Sequence, residues 1–148
     1  MKARGARGTF LLDTSALMAL RDDEPGAEHV AELLTAAAPQ RTLVHACFMS
    51  KMELLYRVWR DEGEAAGRLA LEQCLALPIQ WVESNPQLLR LAAEIKATSS
   101  LSVADAWVAA AARLMGATLV HKDPEFATLD QPQDVLPLKA TKATQKSK

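Results

Sequence analysis

The segment TFLLDTSALMAL, residues 9–20, sets three apolar residues directly before an acid, Asp13, and begins a second apolar run after two hydroxyl residues. The first run predicts a short buried strand over residues 8–12, and the second predicts a helix that begins at Thr14 or Ser15. Asp13 would then end a strand, at the edge of an open α/β sheet where ligands bind. A helix N-cap is the simpler use of this acid, because its carboxylate can accept hydrogen bonds from free backbone N–H groups.

Strands and helices alternate along the rest of the chain, and no internal repeat is visible. Further strands are predicted over residues 41–46, 78–83, 117–121 and 134–138. Further helices are predicted over residues 24–38, 47–63, 64–76, 86–97 and 102–116. Such alternation implies parallel strands that are joined by helical crossovers. We therefore expect a three-layer α/β/α domain with a central parallel sheet of four to five strands.

The helix predicted over residues 47–63 has an apolar stripe at helical spacing, formed by Phe48, Met52, Leu55 and Trp59. A stripe of this kind is typical of the face that packs against a core. Another face of the same helix then carries Glu53, Arg57 and Arg60.

The chain has 148 residues, of which 49% are hydrophobic, so it is long enough for one domain with a sizeable core. No apolar run approaches the roughly 18 to 20 residues needed to cross a bilayer, and the first residues, MKARGARG, lack the apolar centre of a secretory signal. We expect a cytoplasmic protein without membrane contact. Cys47 and Cys74 lack metal-ligand spacing and are expected to be buried thiols without a catalytic role.

The formal net charge of −1 conceals basic ends and an acidic body. Seven of the 17 Lys and Arg residues fall within residues 1–7 or 139–148, which leaves 10 basic against 18 acidic residues between them. We predict a flexible basic N-terminus over 1–7, one folded domain over 8–138 and a disordered Lys-rich tail over 139–148. The acidic body does not favour a general nucleic-acid binder, because affinity for phosphates comes mainly from Lys and Arg.

Four acids stand near the ends of predicted strands or the starts of predicted helices, and they are Asp13, Glu53, Asp105 and Asp123. Each has an ordinary structural explanation. Beside the N-cap use of Asp13, Glu53 could pair with Arg57 one helical turn later. Asp105 could complete a capping box with Ser102, and Asp123 could cap the turn that follows it.

The shared position of these acids is harder to explain by capping or pairing alone. Asp13 and Asp123 end two strands at the same predicted sheet edge, and Asp105 opens the helix that leads into the second strand. Glu53 can reach this edge if its helix starts there. Converging carboxylates repel one another unless a cation lies between them. Their oxygen ligands suit Mg²⁺ or Mn²⁺ better than Zn²⁺, and such a site suits phosphodiester hydrolysis.

The three histidines, His29, His45 and His121, are scattered along the chain. A metal-free nuclease would need a catalytic His or a His and Lys pair, so this spacing does not favour one. His29 falls on a predicted exposed helix, and His45 and His121 each end a strand, where we expect a structural role.

The segments LLDTSALMAL (11–20), SKMELLYR (50–57) and LSVADAWVAAAARLMGATLVHKDPEF (101–126) closely resemble those of the PIN-domain ribonucleases, specifically the VapC-type toxins of prokaryotic toxin-antitoxin pairs. The resemblance covers roughly residues 8–138. The last segment is the most specific, since an acid that opens an Ala-rich helix is followed in order by a Gly-Ala turn, an apolar strand and DPEF.

The resemblance implies that the metal is bound by the catalytic acids Asp13, Glu53, Asp105 and Asp123. It implies Mg²⁺-dependent cleavage of single-stranded or looped RNA that leaves a 5′-phosphate, with Mn²⁺ able to substitute. It also implies a homodimer and a cognate VapB-like antitoxin whose C-terminal segment covers the acidic site.

Residues beside the four acids complete the predicted site. Ser15 resembles the hydroxyl that many relatives place beside the first acid, and Glu125 falls where relatives often have a further acid. The sequence departs from the family at His121, where many relatives carry Thr or Ser two residues before the last acid. The candidate phosphate contacts are Arg57, Arg60 and Lys122.

Three other functions are compatible with parts of the sequence. A PIN-like protein without turnover could serve as an RNA-binding or protein-binding module. A phosphoacceptor receiver domain would need an Asp at the end of the third strand, where only Glu83 stands. An aspartate-nucleophile phosphatase would need an Asp two residues after Asp13, where Ser15 stands. In contrast to these alternatives, a metal-dependent endoribonuclease accounts for all four acids.

Overall fold

The central sheet consists of five parallel strands within residues 8–138, the part of the chain that the computed structural model describes. The strands are β1 (Gly8–Leu12), β2 (Thr42–Cys47), β3 (Gln80–Val82), β4 (Thr118–His121) and β5 (Gln133–Val135). Their spatial order is β3-β2-β1-β4-β5. The predicted parallel sheet is therefore confirmed. The predictions for residues 1–7 and 139–148 lie outside the described residues.

Six α-helices connect the strands, namely α1 (Thr14–Arg21), α2 (Ala27–Ala37), α3 (Phe48–Glu62), α4 (Glu64–Leu75), α5 (Pro86–Thr98) and α6 (Val103–Leu114). A short 3₁₀ helix, Pro124–Thr128, follows β4. The bounds agree with the predictions except that α2 begins after Gly26, whose φ is 99°. A Cβ at Gly26 would lie 3.0 Å from the Leu136 side chain, so glycine allows the loop before α2 to pack beside the end of β5. Within the described chain, no helix has the length and apolar character needed to span a membrane.

The core lies on both faces of the sheet, because successive residues of a strand point to opposite faces. Leu11 of β1 and Leu119 of β4 are fully buried among the residues of α5 and α6. Leu12 and Val120, the next residue in each strand, are fully buried on the other face with α1 and α2. Burying a Leu side chain contributes about 1.5–3 kcal/mol to stability. These two clusters form the interfaces of the three predicted layers.

The prediction for the packing face of α3 is wrong. Met52 and Trp59 are 55% and 43% exposed, whereas Leu54, Val58 and the acid Glu53 are buried. The helix begins at the carboxyl edge of the sheet, and its buried face includes the acid that points toward this edge. Its other apolar residues lie beside α4, where a Cβ at Gly67 would lie 2.9 Å from the Leu55 carbonyl oxygen.

Candidate metal centre and adjoining groove

Asp13 follows β1 at the middle of the carboxyl edge of the sheet. It caps the N-terminus of α1 and is the first acid of the site. Its backbone N–H donates to the Val120 carbonyl of β4, at 3.0 Å, which continues the β1–β4 pairing past the last paired residues. Its carboxylate accepts from the backbone N–H and the hydroxyl of Ser15, at 3.0 and 2.6 Å. Burial raises the pKa of Asp13, Ser15 opposes this shift through its two hydrogen bonds, and the charge of Glu53 adds to it.

Ser15 also joins the first strand to the loop after β4. Its hydroxyl accepts a hydrogen bond from the backbone N–H of Lys122 at 2.9 Å while donating to Asp13. Asp13, and not Ser15, is the N-cap of α1, whereas the Ser15 hydroxyl orients the acid and fixes the neighbouring loop.

Glu53 projects from α3 into the site and is only 8% exposed. The Thr14 hydroxyl donates to Glu53 Oε1 at 2.7 Å and lies 2.8 Å from the Ser50 hydroxyl. Arg57, the expected partner one turn later, lies 3.9 Å from Glu53 Oε2, at the outer limit of an ion pair. Thr14, rather than Arg57, is therefore the close partner of this carboxylate.

Asp105 lies in the first turn of α6, where Ser102 is the N-cap and accepts from the Asp105 backbone N–H at 3.1 Å. Its carboxyl group shares a hydrogen bond with Asp123. Burial raises the pKa of Asp105 to about 7, and the charges of Asp13, Asp123 and Glu53 act in the same direction. Asp105 is thus the residue at which all four predicted acids interact.

Asp123 and Glu125 lie at the start of the 3₁₀ helix after β4. Asp123 caps this helix by accepting from the Glu125 backbone N–H at 2.9 Å. Carboxylate oxygens of Asp105, Asp123 and Glu125 all lie within 4.8 Å of one another. Glu125, predicted as an auxiliary acid, therefore lies as close to this group as the two aspartates do.

Cations are sparse around these five carboxylates. Among residues 8–138, Arg57 is the one cation within ion-pair distance, through its 3.9 Å approach to Glu53. Five acids within one small region destabilise the protein through mutual repulsion unless positive charge joins them or protons neutralise them. The donor set consists of carboxylate oxygens, which are the ligands that Mg²⁺ and Mn²⁺ prefer. The residues therefore fit a divalent cation.

An open groove of about 710 Å³ adjoins the acids at Ser15 and continues between α1 and α3. All three predicted phosphate contacts line it, together with Tyr56. The Arg57 and Arg60 side chains are 38% and 63% exposed. The Lys122 side chain is 8% exposed, and its ammonium donates to Glu24 Oε1 and the Pro25 carbonyl, at 3.2 and 3.0 Å. A phosphate contact by Lys122 would have to break these bonds, whereas the two arginines face the groove directly.

The sequence interpretation missed several groups that support the acids. Thr14 was expected only to start α1, yet its hydroxyl holds Glu53. Ser50 shares this contact, and its position one turn before Glu53 on the same helix was the available signal. Tyr56 was not considered, although it lies three residues after Glu53.

His29 and His45 make contacts within the fold, and both cysteines are buried. His29 Nε2 lies 2.7 Å from Asp134, and His45 Nδ1 lies 3.2 Å from the Gln80 carbonyl. Burial raises the pKa of Cys47 to about 12 and that of Cys74 to about 11, so both thiols stay protonated and are poor nucleophiles.

Comparison with solved structures gives several proteins of the same fold. VapBC2 of Rickettsia felis, bound to a promoter DNA fragment, has a TM-score of 0.71 and 15% identity, covering 87% of this chain and 99% of that one. VapBC-1 of nontypeable Haemophilus influenzae has a TM-score of 0.67 and 20% identity, covering 86% and 97%. VapC20 of Mycobacterium tuberculosis, a toxin that cleaves the sarcin-ricin loop, has a TM-score of 0.64 and 20% identity, covering 86% and 99%.

Comparison of sequences gives the family. No curated protein is significantly similar to the chain. The family model described as PIN domain matches residues 10–132, which is most of the chain and spans β1 through the loop before β5. The match agrees with the resemblance drawn from the segments around the four acids. The chain therefore belongs to the PIN domain family.

Proposed function

We propose that the protein is a metal-dependent endoribonuclease and the toxin of a type II toxin-antitoxin pair. The observation that carries the nuclease proposal is the group of five carboxylates at one sheet edge, with Arg57 at 3.9 Å from Glu53 as the nearest cation among residues 8–138. PIN-domain membership supports it, and so does the fold shared with a toxin that cleaves the sarcin-ricin loop.

Asp13, Glu53, Asp105 and Asp123 would hold Mg²⁺, or Mn²⁺ in its place, with Glu125 as a further ligand. A bound divalent cation supplies acidity to a water molecule and positive charge to the phosphate. Hydrogen bonds within the protein orient the acids toward the proposed cation site. Ser15 orients Asp13, Thr14 orients Glu53, and Ser102 caps the helix that presents Asp105.

RNA would be held through its backbone by Arg57 and Arg60, which lie in the groove next to the acids. The guanidinium groups match phosphate oxygens in shape and charge. RNA cleavage would take place in the cytoplasm. The acidic body would limit affinity for bulk nucleic acid, so recognition would depend on this groove.

The proposed partners are a VapB-like antitoxin and a second copy of the chain. Structures that share the fold include toxin-antitoxin complexes, which supports the first partner. Exposed apolar residues on α3 and α4, including Met52, Trp59, Leu69 and Leu75, support a homodimer through these helices. Sedimentation of the purified protein measures the dimer directly.

The nuclease proposal is tested by incubating the protein with RNA in Mg²⁺ and in EDTA, beside the variant Asp13→Asn. We expect cleavage only by the intact protein with Mg²⁺. Equal cleavage by Asp13→Asn would exclude the metal assignment. RNA binding without cleavage under all these conditions would instead support a binding module without turnover.

A further inference from the structure

Tyr56 places an aromatic ring in the groove beside the acids. The residue is 42% exposed. It lines the groove together with Ser15, the residue that orients Asp13. It follows Glu53 by three positions on α3, which is about 4.5 Å along a helix axis. The two residues therefore lie within one turn of each other on α3.

Arg60 lies over the same ring. Its guanidinium carbon is 5.5 Å from the ring centroid, and its Nε donates to Asp61 at 3.1 Å. Such an exposed pair between neighbouring residues contributes little stability, so it leaves the guanidinium available to a ligand. Tyr56 and Arg60 together offer a half-exposed aromatic ring with a planar cation over it.

We propose that Tyr56 and Arg60 form a subsite for one unpaired nucleobase, next to the phosphate that is cleaved. Unpaired RNA bases stack on aromatic rings and on guanidinium planes, and this stacking accepts every base. Arg57, which follows Tyr56 in the sequence and lies 3.9 Å from Glu53, would hold the adjoining phosphate, while Arg60 would face the base and not a phosphate. This inference rests on the proposed function and specifies which part of the RNA must be single-stranded.

The form of the groove favours a nucleotide over an extended apolar partner. Its volume of about 710 Å³ falls within the roughly 300–1,000 Å³ of ligand sites. Apart from Met18 and Leu138, its lining residues are polar or charged, and they include three cations, Arg57, Arg60 and Lys122, and three acids, Asp22, Glu24 and Asp61. A base on Tyr56 and a phosphate on Arg57 would use both kinds of group.

The test measures binding separately from cleavage. A fluorescein-labelled, unstructured RNA oligonucleotide is titrated with the protein in EDTA, and fluorescence anisotropy gives Kd. Stacking of one base is lost in Tyr56→Ala, so we expect Kd to rise about five- to tenfold, which corresponds to about 1–1.4 kcal/mol. Tyr56→Phe keeps the ring but removes the hydroxyl that interacts with Arg57, so it should lose clearly less affinity than Tyr56→Ala. Leu89→Ala, which changes an exposed apolar residue of α5 that does not line the groove, is the matched control.

A second oligonucleotide series places one abasic nucleotide at each position in turn. One position should weaken binding to the intact protein and have no further effect on Tyr56→Ala, because the same stacking contact is already absent. With Mg²⁺, Tyr56→Ala should raise KM more than it lowers kcat. The differences in binding would persist even if the intact protein did not cleave RNA. A failure of the proposed nuclease function can therefore be distinguished from a failure of the nucleobase subsite.

The proposal is overturned if Tyr56→Ala binds RNA as tightly as the intact protein, or if Tyr56→Phe loses as much affinity as Tyr56→Ala. It is also overturned if the intact protein binds none of the oligonucleotides. A variant Tyr56→Ala that weakens only the capture of a copurifying antitoxin would assign the ring to protein recognition and exclude the nucleobase subsite.

Discussion

The Nδ1 atom of His121 accepts a hydrogen bond from the backbone N–H of Asp123 at 3.0 Å. The other ring nitrogen, Nε2, donates to Gln133 Oε1 at 2.8 Å, and the Gln133 amide nitrogen donates to the Phe126 and Leu129 carbonyls. These donors and acceptors fix a neutral imidazole with its proton on Nε2. His121 thus connects β5 to the turn that carries Asp123.

Replacing His121 should weaken the metal centre through Asp123. In His121→Ala the Asp123 N–H and Gln133 Oε1 lose the fully buried imidazole as their partner, which costs about 1–3 kcal/mol of folding free energy for each group left unpaired. We expect a lower thermal unfolding temperature and an affinity for Mn²⁺, measured by electron paramagnetic resonance, that falls about 10- to 100-fold.

A conservative variant separates positioning from general loss of packing. Asn at position 121 can place an oxygen where Nδ1 accepts, although it cannot reach Gln133. We expect His121→Asn to recover most of the Mn²⁺ affinity while it remains thermally less stable than the intact protein. Equal Mn²⁺ affinities in His121→Ala and the intact protein would show that His121 acts only in the core.

Asp105→Asn should separate stability from activity. The amide removes the negative charge at the residue where four acids interact, so the metal-free variant should unfold several degrees above the intact protein at pH 8. Cleavage should fall more than about 100-fold, because the lost group would bind the metal directly. Differential scanning calorimetry in EDTA and RNA cleavage in Mg²⁺ measure the two effects. A variant that is less stable in EDTA would contradict the repulsion among these acids.

The stability of the metal-free protein should depend on pH through the same group. The pKa of Asp105 is about 7 in the folded protein, against an ordinary value of 3.8. The folded state therefore binds more protons than the unfolded chain between these values, and the free energy of unfolding decreases as pH rises. This contribution is fully present below the ordinary pKa and is lost as pH rises through about 7.

Thermal unfolding in EDTA at a series of pH values measures this slope. Asp105→Asn should have a flatter profile than the intact protein over the same range. Added Mn²⁺ should stabilise the intact protein most above pH 7, where the carboxylates are charged and free to bind it. A metal effect that is independent of pH would contradict this assignment.

Glu125→Gln should reduce metal affinity although the residue is exposed. Its carboxylate lies within 4.8 Å of the oxygens of Asp105 and Asp123, and the amide supplies a weaker ligand without charge. We expect Mn²⁺ affinity to fall about tenfold, with thermal stability in EDTA unchanged or slightly higher. Glu28→Gln, an exposed acid on α2, serves as the control for a change of net charge. Identical Mn²⁺ affinities for the two variants would remove Glu125 from the site.

The strands and most helix bounds could be predicted because apolar periodicity and Gly or Pro punctuation directly reflect burial and backbone geometry. The convergence of the acids followed from strand ends that share one edge. The face of α3 could not be predicted this way. The buried face of α3 includes Glu53, which belongs to the site, while Trp59 lies half exposed beside α4. The hydrophobic pattern alone therefore indicates the wrong face.

The His121–Gln133 contact could not be predicted from the sequence either. Both residues are polar, twelve positions apart and on neighbouring strands. Nothing in the periodicity distinguishes a histidine that supports a buried turn from one that ends a strand without a partner. Such pairs depend on strand register, which becomes known only when β4 and β5 are placed side by side.

The position of β1 between β2 and β4 determines when the acids can meet during synthesis. Ser15 and Lys122, which join the two halves of the site, are 107 positions apart, so nearly the whole domain must emerge from the ribosome before β4 can pair with β1. Contacts between such distant residues form slowly because a long loop must close first. An incomplete nascent chain therefore carries Asp13 and Glu53 without the two later aspartates, and the full set of carboxylates arises only as the domain closes.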